Sequence, residues 1–257
     1  MARPAAFSPD RGEDRALLAR LEDLTESASR WGKVCSSAFL SEHEQAVAGQ
    51  FVPSGDLVVR LEGGYPEAQR RVFLAYPRQI SQQEIDYPFT ALSILLPKGY
   101  SVSHRDVLGS LMALGVKRET LGDLLIGDGL VVVFALRPAA ALILGELERI
   151  GRVGVRCCEG APSQLPAAYR LERREAAVAS MRLDCIVAAA ANVSRTESAR
   201  LITQGMVSCD GLVCCTASRE VAPGENISIR GVGKFRIAEV GGLTRKGRLH
   251  FAYDQYC

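Results

Sequence analysis

The residues with chemistry to offer gather between Arg182 and Gly224. Arg182-Leu183-Asp184 opens one periodic apolar segment, and Ser194-Arg195-Thr196-Glu197 opens a second. Guanidinium and hydroxyl groups therefore stand at two helix starts, where backbone N–H groups are left free and an anion such as a phosphate is welcome. Arg182, Ser194, Arg195, Thr196 and Arg200 are the expected phosphate contacts. Glu197 is placed to pair with Arg200 at i, i+3. Further on, Lys234, Arg236, Arg245, Lys246 and Arg248 extend the cationic set on loops and turns.

Other constellations fail on their own chemistry. His104-Arg105-Asp106 has the letters of a kinase catalytic loop, yet the required Asn position holds Leu111, and no glycine-rich loop with a strand lysine precedes it. Asp184 superficially matches the catalytic Asp of pseudouridine synthases, but its place at a helix start already explains it. Gly231-Val232-Gly233 lacks the strand–helix context of a nucleotide loop. The 8 cysteines contain no C-x-x-C pair, which argues against a zinc site and a disulfide framework. Cys157-Cys158 and Cys214-Cys215 are expected in strands, as reduced buried thiols. No catalytic residue, cofactor or metal is expected.

The elements that must position the cationic residues can be read from spacing. Leu183, Ile186, Val187 and Ala190 make a short amphipathic helix that Asn192-Val193 breaks. Ser194 caps the next helix, with Glu197 reaching back as the second half of a capping box. Ala199 and Ile202 form its apolar face, and Gly205 suits its end. Val207, the turn Asp210-Gly211 and Leu212-Val213 read as a tight hairpin. Strands follow at Ile227–Arg230, Phe235–Val240 and Leu249–Tyr253, with Phe235, Phe251 and Tyr253 as core.

This order resembles the S4-type RNA-binding domain, whose signature R-L-D, S-R-x-x-A-x-x-L-I-x-x-G-x-V, D-G and V-x-x-G runs through about 60 residues here. Cys209 and Glu225 depart from it, both outside the helix pair. The resemblance implies RNA binding by the helix-pair face.

Upstream, Asp14–Arg30 and Ser41–Phe51 read as helices, the second with Ser41 and Glu44 as a capping box and His43 as a solvated surface residue. Strands Leu57–Leu61 and Arg71–Ala75 flank Gly63-Gly64. Next come strand Phe89–Leu96, helix Ser103–Leu114, strands Leu124–Ile126 and Leu130–Leu136 about Gly127-Asp128-Gly129, helix Ala139–Ile150 and strand Arg152–Cys157. That is the β-α-β-β-α-β order of a ferredoxin-like, RRM-like plait. Its strands lack the aromatic-rich pattern that stacks bases, so sheet-face RNA binding is not expected.

His104-Arg105-Asp106-x-x-Gly109, Leu114-Gly115 and Gly122-Asp123, with Ser228-x-Arg230-Gly231-x-Gly233-Lys234-Phe235 and Thr244-Arg245-Lys246-Gly247-Arg248, resemble the YlmH-type S4 proteins. These are encoded in bacterial cell-division clusters and have chloroplast relatives. The resemblance implies association with the large ribosomal subunit, its 23S rRNA and tRNA, on stalled peptidyl-tRNA complexes in ribosome quality control.

Composition sets outer bounds. The chain has 257 residues, 47% apolar and 23% charged, as a globular protein does. No apolar run is long enough for a membrane span. A net charge of +2 demands no nucleic acid by itself, so affinity must come from clustering. From Met181 onward Arg and Lys outnumber Asp and Glu by 10 to 7, which puts the small excess in the C-terminal part.

The expected architecture is α+β. It comprises a flexible tail (1–14), an N-terminal α/β module (15–80), the RRM-like domain (81–159), a linker (160–176) and an S4 domain with a basic extension (177–257). The expected function is a non-catalytic, cytoplasmic, monomeric RNA-binding protein without membrane contact. The alternatives are an RNA-modifying enzyme and a cell-division interaction protein.

Overall fold

The computed structural model describes residues 12–53, 55–245 and 247–256. Most of the expected tail, Ser54 and Lys246 lie outside the described residues. The chain divides into two compact units, residues 1–168 and 169–257.

The first unit begins with α1 (Gly12–Trp31), so Gly12 to Asp14 are helical where a tail was expected. Leu17, Leu21 and Ala28 form its buried face. Strand β1 (Cys35–Leu40), absent from the periodicity reading, is followed by α2 (Glu42–Ala48). Ser41 caps α2 with its hydroxyl accepting from the Glu44 N–H, and Glu44 accepts in return from the Ser41 N–H at 2.8 Å. His43 is not a solvated bystander: its Nε2 lies 2.8 Å from Oδ1 of the buried Asp14, tying α2 to α1. Strands β2 (Leu57–Glu62) and β3 (Arg71–Pro77) complete an antiparallel sheet in the order β1-β3-β2.

There follow β4 (Phe89–Leu95), α3 (His104–Ala113), β5 (Leu121–Gly127), β6 (Leu130–Leu136) and α4 (Arg137–Glu146). A two-strand hairpin, β7 (Arg149–Ile150) and β8 (Val153–Gly154), precedes β9 (Arg156–Glu159). Helix α4 therefore stops before Leu147, and Ile150, expected in the helix, sits in β7. The four long strands pair antiparallel in the order β5-β6-β4-β9. Alternation along them divides the sheet into two faces. Leu92, Ile94, Val131 and Val133 pack with Val107 and Leu111 of α3 and Ile143 of α4. On the other face Phe89, Leu125, Val132 and Phe134 pack with Phe39, Val72, Leu74 and Tyr76 of the first sheet. A sheet buried on both faces reads as continuous apolar runs, as Leu130–Leu136 does.

Two sequence motifs find their cause here. In His104-Arg105-Asp106, Asp106 closes a capping box with Ser103 at the start of α3. His104 is held below its ordinary pKa by burial and by the Arg118 charge, against the pull of Asp123. In Gly122-Asp123, the carboxylate accepts from Tyr65 Oη and the Gln69 N–H, both at 2.6 Å, and from the Arg70 N–H at 3.0 Å. A Cβ on Gly122 would meet the Phe39 ring at 2.7 Å.

The second unit starts with β10 (Leu171–Val178), in a stretch expected to be mostly linker. Its eight residues pair without a break from Leu171↔Tyr256 to Val178↔Leu249. Its first five residues, Leu171 to Glu175, are exposed on both faces of an edge strand and carry no alternating apolar signal, which is why this charged stretch reads as a linker. Helices α5 (Leu183–Ala191) and α6 (Arg195–Thr203) come next. Strands β11 (Val207–Cys209), β12 (Leu212–Val213), β13 (Asn226–Ile229), β14 (Gly233–Leu243) and β15 (Leu249–Tyr256) follow. The sheet order is β10-β15-β14-β13-β11-β12. Ile186, Val187 and Ile202 of the helices pack on Ile227, Ile229, Phe235, Ile237 and Phe251. Asp210 and Gly211, at φ +46° and +83°, make the tight β11–β12 turn. Cys214 lies just beyond β12 rather than in it, and Cys158 and Cys215 are exposed rather than buried.

Candidate nucleic-acid interface

Asp184 is the centre of the helix pair. It is 6% exposed and accepts from Arg182 through Nε at 3.1 Å and Nη2 at 3.2 Å. Arg195 Nη2 donates to it at 2.8 Å, and the Cys185 N–H at 3.0 Å. Burial raises the pKa of this carboxyl, but the hydrogen bonds and charges of Arg182 and Arg195 outweigh it and hold the group well below the usual carboxylate range. The RLD triplet thus uses its acid as an anchor. The two guanidinium groups, 42% and 60% exposed, are brought together at the start of both helices with donors to spare.

The turn between the helices keeps this geometry. Asn192 takes the left-handed conformation at φ +53°, and the Val193 N–H bonds Ala188 O at 3.0 Å. Ser194 caps α6 by accepting from the Glu197 N–H at 3.1 Å. Buried Ser198 donates to Asp184 O at 2.7 Å, locking α6 to the first turn of α5. Gly205 at φ +69° ends α6, with N–H bonds from Gly205 to Ile202 O and from Met206 to Leu201 O, both 3.0 Å.

One expectation is corrected. Glu197 does not close a capping box; its carboxylate takes Arg200 Nε at 2.8 Å and Nη2 at 2.5 Å. Arg200 also donates to Gln204 at 3.0 Å, so its charge is largely offset on its own helix. Arg195, besides being an expected phosphate contact, is bonded to a buried acid and so shares in the fold.

The remaining cations are not on the helix face. Phe235 and Ile237 point into the core under α5 and α6, so by strand alternation Lys234 and Arg236 lie on the opposite face of the sheet. Both are strand residues of β14 rather than turn residues. Lys234 Nζ is 5.1 Å from the Tyr256 ring centroid, and Arg236 stands across from Asp254 in the register. Arg245 and Arg248 are exposed in the β14–β15 connection, where Thr244 and Arg248 bond through their backbones. Lys246 lies outside the described residues. The described members of the set therefore divide between a helix-pair cluster, the outer sheet face and the β14–β15 connection.

Among the described residues no group of three His, Cys, Asp or Glu could hold a metal ion, and no helix is long and apolar enough to cross a membrane. Cys209 and Cys214 face each other near Arg219 and Glu225. A hydrogen bond from Cys209 lowers the Cys214 pKa while its own is raised.

Comparison with known proteins places the chain. Residues 82–163 match the family model described as "Putative RNA-binding domain in YlmH". The chain is 29% identical over 219 residues to "Ribosome-associated protein quality control protein P2" of Bacillus subtilis, covering 84% of this chain and 85% of the relative. Its fold is shared with "Cell division protein ylmH from Streptococcus pneumoniae", at a TM-score of 0.52 and 16% identity, covering 61% of this chain and 96% of that one.

Proposed function

We propose that this YlmH-type chain is a non-catalytic RNA-binding protein that works on the large ribosomal subunit, where it meets 23S rRNA and tRNA in ribosome quality control. The single observation that carries the reading is the Asp184 anchor, which fixes Arg182 and Arg195 side by side at two helix starts. Two oriented guanidinium groups held side by side are a phosphate-binding arrangement, and they carry it without the first N–H groups of α5, which are taken by Arg219 O, Ala217 O and the Asp184 carboxylate. Residues 169–257 are read as the S4-type domain with β10 included, residues 81–159 as the ferredoxin-like domain, and residues 15–80 as a module built onto its sheet. The quality-control role comes from the Bacillus relative, which this chain parallels over most of its length.

Arg182, Ser194, Arg195 and Thr196 make the main contact in this reading. Lys234, Arg236, Arg245 and Arg248 reach other strands of a folded RNA, since they lie off the helix face, and Lys246 joins them in this proposal. The chain acts as a monomer. In sedimentation with purified large ribosomal subunits the full chain is expected in the subunit fraction at moderate salt and free at high salt. Each phosphate neutralised contributes about 0.7–0.9 to the slope of log affinity against log salt. Binding indifferent to salt, or no binding to the subunit at low salt, contradicts the proposal.

A further inference from the structure

The sheet β5-β6-β4-β9 is covered on one face by the β1-β3-β2 module, but the cover is incomplete. Where the loop after β2 crosses β4 and β6, a cleft of about 730 Å³ opens, bounded on its far side by residues 161–165. Phe89 and Phe134, 8% and 3% exposed, are its buried aromatic lining. Tyr65 and Tyr87, both half-buried, line it as well. Tyr65 stacks on Phe134 at 5.3 Å with the rings 25° apart, and Tyr87 leans on Phe89 at 5.6 Å. Gly64, at φ +94°, lets the loop press onto Phe134: a Cβ there would lie 2.4 Å from the ring. The Tyr65 hydroxyl is held by Asp123, so this wall is fixed before any ligand arrives.

The polar groups of the cleft narrow what it can hold. Arg71 is oriented by bonds from Nε to Ala68 O at 2.9 Å and from Nη2 to Pro66 O at 3.1 Å. The Glu62 carboxylate and the hydroxyls of Thr90 and Ser163 complete the lining. Aromatic walls with donors and acceptors between them suit a flat heteroaromatic ring, and a positioned guanidinium suits the phosphate attached to it. An aliphatic peptide would make no use of the Arg71 charge at the cleft. A base within a duplex is already stacked and cannot enter, so the ring must belong to an unpaired nucleotide.

We infer that this cleft takes the base of one unpaired nucleotide of the bound RNA, stacked against Tyr87, with Arg71 on its phosphate. The inference rests on the RNA-binding reading above and adds a second contact, single-stranded in kind, to the helix-pair contact. Sequence pattern could not show it, because Tyr65 and Tyr87 come from connections outside the strands whose aromatic content was read.

The test uses the full chain and a stem–loop RNA with a uridine loop, beside the same stem with abasic loop positions. Wild type is expected to lose affinity for the abasic RNA by roughly 5- to 100-fold, the range of one stacked base. Tyr87→Ala is expected to bind both RNAs equally, at the weaker level, and Tyr87→Phe to restore the difference. Photocrosslinking of a 4-thiouridine loop is expected to label the peptide containing Tyr65 or Tyr87. If the abasic RNA costs Tyr87→Ala as much as wild type while both still bind the stem, the cleft assignment is overturned and the helix-pair reading stands. If no RNA binds to wild type, both fall.

Discussion

Replacing Asp184 by alanine is expected to lower the stability of residues 169–257 by about 3 kcal/mol and to abolish RNA binding, although Asp184 itself would repel a phosphate. The carboxylate is buried and satisfies three side-chain bonds from two arginines and one backbone N–H. Its loss leaves two cations facing each other with nothing between them, and the Cys185 N–H keeps only Arg182 O of its two acceptors. For a unit of this size the melting temperature should fall by roughly 10–20 °C.

The same group gives a pH signature. Its folded pKa is depressed, so the unfolded chain binds the proton more readily and the stabilisation is fully present above the unfolded carboxyl value of about 3.9. It is lost as pH falls below that value toward the folded pKa. Wild-type stability should therefore decline below about pH 4 through this group. Asp184→Asn should be less stable at neutral pH and show a shallower acid decline. Thermal melts across pH 3–7 check both; an Asp184→Ala protein that melts like wild type would remove the anchor from the account.

The second large effect is expected at Asp123. Its carboxylate joins β5 to the loop after β2 by accepting from Tyr65, Gln69 and Arg70. Arg70 returns across the same joint, donating to Leu121 O and Phe39 O, both at 2.9 Å. Asp123→Ala strips three donors of their acceptor, each costing about 1–3 kcal/mol when it cannot reach water. The half-buried setting puts the sum at about 3 kcal/mol. Asp123→Asn should fall between, because one of its two ends becomes a donor facing a donor. Hydrogen exchange reads the outcome locally: protection of residues 61–72 should drop first. Unchanged protection there would show that packing alone holds the first sheet on the second.

The legibility of this chain in its sequence differs by region for physical reasons. The α5–α6 pair could be read because its signals are local: apolar spacing, a serine cap, a glycine end. The succession β4, α3, β5, β6, α4 could be read because turns and apolar runs alternate cleanly, whereas the short β7–β8 hairpin falls within stretches that read as the end of the helix and the last strand. Strand β10 could not, since Arg173 and Glu172 are exposed on an edge and the pairing with β15 is visible only in three dimensions. The partners of the arginines were equally hidden. Spacing placed Arg195 in a first turn, but only the fold brings it to Asp184, eleven positions earlier in the chain. The placement of the strand cations was hidden for a related reason. Strand alternation sends Lys234 and Arg236 to the face that the helices do not cover, and no count of charges along the chain carries that information.

The central claim, that RNA phosphates meet the starts of α5 and α6, is tested most directly at Thr196. This residue is exposed in the first turn of α6 beside Arg195. A glutamate there sits well with the helix dipole, so folding should be unharmed or slightly favoured. The same charge stands where a phosphate must approach. The measurement is the affinity of Thr196→Glu for purified large ribosomal subunits, taken with its melting temperature. The account predicts a melt at or above wild type together with at least a tenfold loss of binding at moderate salt. A variant that melts like wild type and binds the subunit as tightly would place the RNA contact elsewhere.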